Sequence, residues 1–124
     1  MSAAGYRLNH LTAIVDRNRA MIDGMTEDVM PLEPFADKWR AFGWQVIEVD
    51  GHDIPALVDA FASANAHTDG PSVVIANTVK GQGIDFIAGD YKWHYGSFGG
   101  EKADEARAAL DDYYQQRLAK VERS

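Results

Sequence analysis

The chain has 124 residues, with 12 Lys or Arg against 19 Asp or Glu, so its formal charge at pH 7 is −7. Its length supports one domain, residues 1–124, with a modest core, and a hydrophobic content of 46% is ordinary for a globular protein. The acidic balance argues against a nucleic-acid binder, no apolar stretch is long enough to span a membrane, and zero cysteines fit a reducing, cytoplasmic location.

Strands are predicted to alternate with helices along the chain. Short runs rich in β-branched residues predict buried strands at residues 11–15, 44–49 and 72–79. Apolar residues spaced three and four apart predict helices over residues 31–42, 54–66 and 102–121. Residues 20–30 are predicted to form a loop, and residues 80–100 an irregular segment rich in glycine. This order indicates an α/β fold with a mainly parallel sheet.

The predicted sheet is small for its class. Three parallel strands have long apolar edges, and such edges favour pairing with further strands. Residues 1–9 are too few to supply another strand with its helix. We therefore expect the sheet to be incomplete in this chain. Parallel sheets bind ligands at the carboxyl ends of their strands, which here are residues 16–20, 50–53 and 80–83.

Two polar residues follow the first predicted strand. Asp16 and Asn18 offer side-chain oxygens, which are the ligands that a hard cation such as Mg²⁺ takes. The alternative is a polar turn that caps the loop. The spacing alone leaves both interpretations open.

The irregular segment contains two further candidate motifs. The glycines of residues 80–83 would let the backbone approach a ligand closely, and Lys80 could pair with a phosphate. A plain flexible loop is the alternative for this stretch. His94, which lies between aromatic residues, could bind an anion or move a proton. The alternative for His94 is a half-buried loop histidine with a backbone partner.

Other polar residues are assigned structural roles. Residues 50–53, which are Asp-Gly-His-Asp, are interpreted as a turn rather than a metal site, with Asp53 as the N-cap of the next helix. Arg17, Arg19 and Arg40 are interpreted as surface or interface charges.

Taken in order, these segments resemble the transketolase family of thiamine-diphosphate enzymes over residues 6–96. Residues 11–24 are similar to the end of the family's thiamine-diphosphate motif, and residues 31–44 to the helix and strand that follow it. The shorter similarities are residues 49–53, 78–83 and 93–94. Within the family, the resemblance is to the separate N-terminal subunit of bacterial two-subunit transketolases.

The resemblance implies a partial thiamine-diphosphate-binding fold, in which three α/β/α layers surround a mainly parallel sheet. The chain would be the C-terminal part of the diphosphate-binding domain. Thiamine diphosphate and Mg²⁺ are the implied cofactors, and the implied reaction moves a two-carbon ketol unit from a ketose to an aldose. The side chain of Asn18 and the carbonyl of Ala20 would bind Mg²⁺, and Ile22 would pack against the rings of the cofactor. Lys80 and His94 would bind cofactor and act in catalysis, lining the diphosphate and the mouth of the substrate channel.

One departure from the family concerns the start of its cofactor motif. That motif begins with Gly-Asp-Gly, and counting back from Asn18 places the start before Met1. We therefore expect the chain to be inactive alone and to need two partner chains. One would carry Gly-Asp-Gly, and the other would carry the pyrimidine-binding domain with its catalytic Glu. The substrate would be a sugar or sugar phosphate. The alternative is a truncated or degenerate fragment that serves only as a structural or interaction module.

Overall fold

The computed structural model describes residues 1–121, which divide into two compact units. The first unit consists of Met1–Arg19 and Thr26–Thr78. The second consists of Ala20–Met25 together with the chain from Val79 onward.

The first unit is built on a parallel sheet. Its elements in chain order are α1 (Ser2–Gly5), β1 (Thr12–Arg17), α2 (Thr26–Val29), α3 (Phe35–Ala41), β2 (Gln45–Asp50), α4 (Ile54–Ala66) and β3 (Ser72–Asn77). The strands lie in the order β1-β3-β2, and both pairings are parallel. The predicted α/β fold with a parallel sheet is therefore confirmed.

The core of the first unit lies between α4 and the central strand β3. Val74 of β3 has no exposed surface and packs with Ala60 and Ala64, whose small side chains let α4 approach the sheet. Ile47 and Val49 of β2 pack against the same cluster. Because side chains alternate along a strand, Ile75 points to the opposite face, where it lines a cavity together with residues of α3. Helices therefore cover both faces of this sheet.

The outer strand β1 is less well covered than β3. Ile14 is paired in register with the fully buried Val74, yet 62% of its surface is exposed. The apolar edge predicted from the sequence is therefore present at β1. An exposed β-branched residue on an edge strand is a feature that favours pairing with further sheet.

Three of the differences between the observed and the predicted element boundaries affect residues discussed below. β1 extends to Arg17, which places Asp16 inside the strand. The helix predicted over residues 31–42 is the shorter α3, because Pro34 has an extended backbone and occupies the N-cap. The loop predicted over residues 20–30 contains an antiparallel bridge between Ala20 and Met25 and the single-turn helix α2.

The second unit contains a 3₁₀ turn at Tyr91–His94 and the long helix α5 (Glu101–Val121), which confirms the predicted C-terminal helix. Phe86, Trp93 and Phe98 form an edge-to-face cluster with ring centroids 5.7 to 6.0 Å apart. The ammonium group of Lys102 lies 4.3 Å from the centroid of the Phe86 ring. Across residues 1–121, no helix combines the length and apolar character needed to cross a bilayer.

Candidate functional site

The carboxyl end of β1 carries three consecutive polar residues with different roles. Asp16 accepts a hydrogen bond from the hydroxyl of Thr78, which follows β3. Arg17 is 5% exposed and turns towards the α3 face of the sheet. Asn18 is half-buried and is the first residue beyond the strand. Asp16 therefore joins two strand ends, and Asn18 places an amide side chain just beyond the end of β1.

The prediction that Arg17 is a surface or interface charge is wrong. Its guanidinium group is buried: Nη1 donates to Oγ1 of Thr26 at 3.0 Å. Nη2 donates to Oε1 of Glu27 at 2.9 Å and to Oε1 of Glu33 at 3.1 Å. The guanidinium carbon also lies 5.4 Å from the centroid of the Phe35 ring. A charged side chain becomes this buried only when it is paired, and here two carboxylates pair with it.

The pKa values of both carboxylates are lowered, which favours their ionised forms. The backbone N–H of Leu32 and the guanidinium of Arg17 lower the pKa of Glu27 below the ordinary glutamate value. The backbone N–H of Phe35, followed by Arg17, lowers the pKa of Glu33 in the same way. Arg17 is therefore held between two ionised side chains that are themselves fixed by backbone donors.

The segment Ala20–Met25 contains two of the predicted site residues. It is a hairpin-like turn in which the N–H of Met21 donates to the carbonyl of Gly24 at 2.7 Å. Ile22, which the resemblance places against the cofactor's rings, lies near the tip of this turn with 52% of its surface exposed. Ala20 lies at its base, in the bridge to Met25. An exposed apolar side chain at a turn is available to cover a ligand.

The glycine-rich stretch at residues 80–83 is a hydrogen-bonded turn. The carbonyl of Lys80 accepts from the N–H of Gly89 at 2.8 Å. Gly81 and Gly83 have positive φ values of 72° and 93°. A Cβ on Gly83 would lie 3.0 Å from the ring of Tyr113 on α5, so this backbone packs directly on the helix. The glycines therefore serve a hydrogen-bonded turn, and this turn presents the half-buried Lys80.

His94 ends the 3₁₀ turn of the second unit. Its side chain is exposed, and its ring lies edge-to-face with that of Tyr95, with centroids 4.7 Å apart. The adjacent Trp93 points into the aromatic cluster with Phe86 and Phe98, which anchors the turn. The half-buried interpretation of His94 is therefore wrong, and the imidazole remains accessible to a ligand.

The turn at residues 50–53 is structural, as predicted. The carboxylate of Asp50 accepts from the N–H of His52 at 2.9 Å, and that of Asp53 accepts from the N–H of Ala56 at 3.0 Å. Asp53 is therefore the N-cap of α4. Within residues 1–121, no three His, Cys, Asp or Glu side chains lie close enough together to hold a metal ion.

The predicted site residues are divided between the two units. Asn18 belongs to the first unit, whereas Ala20, Ile22, Lys80 and His94 all belong to the second. The oxygen donors at Asn18 and Ala20 are an amide and a main-chain carbonyl, which suit Mg²⁺. They are too few for an ion that prefers about six oxygen ligands.

Sequence comparison places the chain among proteins of known family. Residues 1–118 match the family model described as transketolase, thiamine diphosphate binding domain. An apulose-4-phosphate transketolase subunit of Phocaeicola vulgatus is 37% identical over 123 residues, which are 99% of this chain and 42% of that protein. The 6-deoxy-6-sulfo-D-fructose transketolase subunit SqwG of a Clostridium species is 46% identical over 94 residues, which are 76% of this chain and 34% of that protein.

A solved structure agrees with the sequence comparison. The transketolase of Campylobacter jejuni superposes with a TM-score of 0.80 at 25% identity, over 89% of this chain and 17% of that one. The chain therefore spans less than half of the length of these relatives and a smaller share of the solved enzyme. The family match, the parallel sheet and the ordered motifs agree, and the chain belongs to the transketolase family, in its thiamine diphosphate binding domain.

Proposed function

We propose that this chain is part of a transketolase that moves a two-carbon ketol unit from a ketose to an aldose in the cytoplasm. It would use thiamine diphosphate and Mg²⁺ and act only when assembled with partner chains. The observation that carries the proposal is the end of β1, where the amide side chain of Asn18 directly follows a buried, ion-paired arginine. This is the strand end at which a parallel sheet binds its ligand.

We assign a separate role to each site residue. The side chain of Asn18 and the carbonyl of Ala20 bind Mg²⁺, and a carbonyl ligand explains why a residue as small as Ala is suitable there. Ile22 covers the rings of the cofactor with its exposed side chain. Lys80 neutralises the diphosphate, and His94 exchanges protons with the substrate's hydroxyl groups. The bound cofactor supplies the electron sink for breaking the carbon–carbon bond, and the protein supplies position and proton transfer.

The open sheet supports a role within an assembly. Ile14 on the edge strand β1 is largely exposed, and a strand from a partner placed beside β1 would cover it. We propose that the residues with the Gly-Asp-Gly sequence and those of the pyrimidine-binding domain, with its catalytic Glu, reach the site from such partners. The relatives are themselves named as transketolase subunits.

The substrate is proposed to carry an anionic group at its far end. One relative is named for a sugar phosphate and another for a sulfonated sugar. Both names describe a ketose-type substrate with a negatively charged substituent. We therefore expect ketose phosphates to be better donors than the corresponding neutral ketoses.

The test is cofactor binding by the chain purified together with its partners. Calorimetry with thiamine diphosphate is expected to show binding that requires Mg²⁺. Asn18→Ala should weaken it by roughly tenfold or more, since a metal ligand is lost. Asn65→Ala, on the exposed side of α4, makes the same chemical change away from the strand ends and should bind as wild type does. Equal affinities for the two variants would refute the assignment of Asn18.

The assignments of Lys80 and His94 are tested separately, Lys80 by cofactor binding and His94 by kinetics. Lys80→Met is expected to raise the Kd for thiamine diphosphate, because a charge that pairs with the diphosphate is removed. His94→Asn is expected to lower kcat by about 10²-fold or more while the cofactor Kd stays near wild type. A His94 variant with full kcat would remove His94 from the mechanism.

A further inference from the structure

Arg17 lies at the base of the segment that carries the proposed magnesium ligands. The chain leaves the first unit after Arg19 and returns to it at Thr26, and the N–H of Thr26 donates to the carbonyl of Arg19 at 2.8 Å. The residues between them form the turn closed by the bridge from Ala20 to Met25. The chain therefore enters and leaves the turn at two residues, Arg19 and Thr26, that are bonded to each other.

The guanidinium of Arg17 binds the residues that directly follow the turn. It bonds the hydroxyl of Thr26 and the carboxylate of Glu27, the first two residues after the turn. The hydroxyl of Thr26 also donates to Oε1 of Glu27 at 3.2 Å. Arg17 itself is fixed by the sheet, since it ends β1 and is paired in register with Asn77. One side chain thus joins the end of the strand to the end of the turn.

A second set of bonds keeps the guanidinium in place from the α3 side. Glu33 accepts from Arg17 and, through its other oxygen, from the N–H of Phe35 at 2.8 Å. Glu27 accepts from the N–H groups of Leu32 and Glu33. An arginine suits this position because its planar fork of donors reaches several acceptors at once, which the single ammonium of a lysine does not.

We propose that Arg17 is a positioning residue for the proposed magnesium ligand Asn18: it holds the end of β1 to Thr26 and so fixes the chain at Asn18 and Arg19, just before the Ala20–Met25 turn. This inference rests on the proposed function, since it assigns the ligands to Asn18 and Ala20. Arg17 would act through the residues that it holds in place and would not contact cofactor or substrate. If Arg17 served only stability, its replacement would not affect this turn more than the rest of the chain.

The first test needs no cofactor. Hydrogen exchange is measured on the 124-residue chain as wild type, Arg17→Lys and Arg40→Lys. Arg40 is a matched control, because it also bonds two carboxylates, those of Asp37 and Glu48, but it is 51% exposed and its partners lie on α3 and β2. Arg17→Lys is expected to speed exchange at the amides of Met21 and Thr26, both of which are bonded in wild type. Unchanged exchange at both amides would overturn the proposed role of Arg17.

The second test measures the metal. In the assembled enzyme, the Mg²⁺ concentration that half-saturates thiamine diphosphate binding is expected to rise roughly tenfold or more in Arg17→Lys, the order of effect seen when residues that orient a metal ligand are changed. Arg40→Lys should match wild type. If Arg17→Lys does not fold, Glu33→Gln replaces it. It removes one of the two carboxylate charges paired with Nη2, at a half-exposed position, and should give a smaller rise in the same direction.

The outcomes separate the two proposals. Wild-type assembly that binds no thiamine diphosphate refutes the proposed function, whatever the exchange data show. If the wild-type assembly binds thiamine diphosphate and neither Arg17→Lys nor Glu33→Gln changes the Mg²⁺ requirement, the role of Arg17 is refuted. The proposed function is then unaffected. A selective rise in that requirement, with faster exchange in the turn, supports both.

Discussion

Gly51 lies against Thr78 so closely that a Cβ on the glycine would overlap the methyl group of Thr78. The same Cβ would lie 3.2 Å from the Cβ of Ala76 and from the carbonyl oxygen of Asn77. The backbone explains this approach, because the N–H of Gly51 donates to that carbonyl at 2.8 Å. The turn after β2 therefore needs a residue without a side chain in order to stay bonded to the end of β3.

Gly51→Ala is expected to lower the free energy of unfolding by about 1–3 kcal/mol, because the methyl group forces the two strand ends apart. Urea denaturation followed by tryptophan fluorescence measures the change. Gly5→Ala is the control: its Cβ would meet nothing within 4 Å, and Ala is a better helix former by about 0.5–1 kcal/mol. A Gly51 variant as stable as the Gly5 variant would contradict the packing argument.

Asp53→Ala is expected to destabilise the chain by about 0.5–2 kcal/mol, because the N–H of Ala56 loses its acceptor at the start of α4. Asp59→Ala removes an exposed carboxylate from the interior of the same helix and should change stability by less than about 0.5 kcal/mol. Thermal unfolding followed by circular dichroism compares the two. A larger loss for Asp59→Ala would mean that the cap is not the stabilising feature.

The strands, the main helices and the cap of α4 could be predicted because each depends on local pattern. Apolar runs predict β1, β2 and β3, and Asp53 is recognisable from the turn that precedes an apolar helix. The pairing order β1-β3-β2 does not follow from those patterns, since it depends on which crossover packs where. The apolar edge that the exposed Ile14 marks was predictable, because three strands alone leave such an edge open.

The role of Arg17 could not be predicted from the sequence alone. Its partners Thr26, Glu27 and Glu33 are 9, 10 and 16 residues away, and no periodic pattern connects residues at those separations. One signal is present in the strand itself: side chains alternate within β1, and Arg17 shares its face with Ala13 and Val15 rather than with the exposed Ile14. A charged residue in phase with the buried positions of a strand should be tested for acidic partners nearby.

Acid is expected to weaken the Arg17 cluster. The folded state holds the pKa of Glu27 and of Glu33 below the ordinary value of 4.5, so the unfolded chain binds more protons than the folded chain as the pH falls through that value. Their contribution to stability is therefore complete above about pH 5 and is lost progressively at lower pH. Denaturation at a series of pH values should show that the free energy of unfolding falls less below about pH 5 for Glu33→Gln than for wild type. Identical pH profiles would contradict the coupling.

Ile14→Lys is expected to weaken binding of a partner chain at the edge of the sheet. Covering an isoleucine side chain contributes about 1.5–3 kcal/mol, which corresponds to a roughly 10- to 100-fold higher Kd when a charge replaces it. Asn65→Lys makes the same change in net charge at an exposed position of α4, so it controls for general electrostatic effects. Fluorescence anisotropy with a labelled partner measures both Kd values. If Ile14→Lys binds as tightly as Asn65→Lys, the partner does not cover Ile14, and the sheet is not extended at β1.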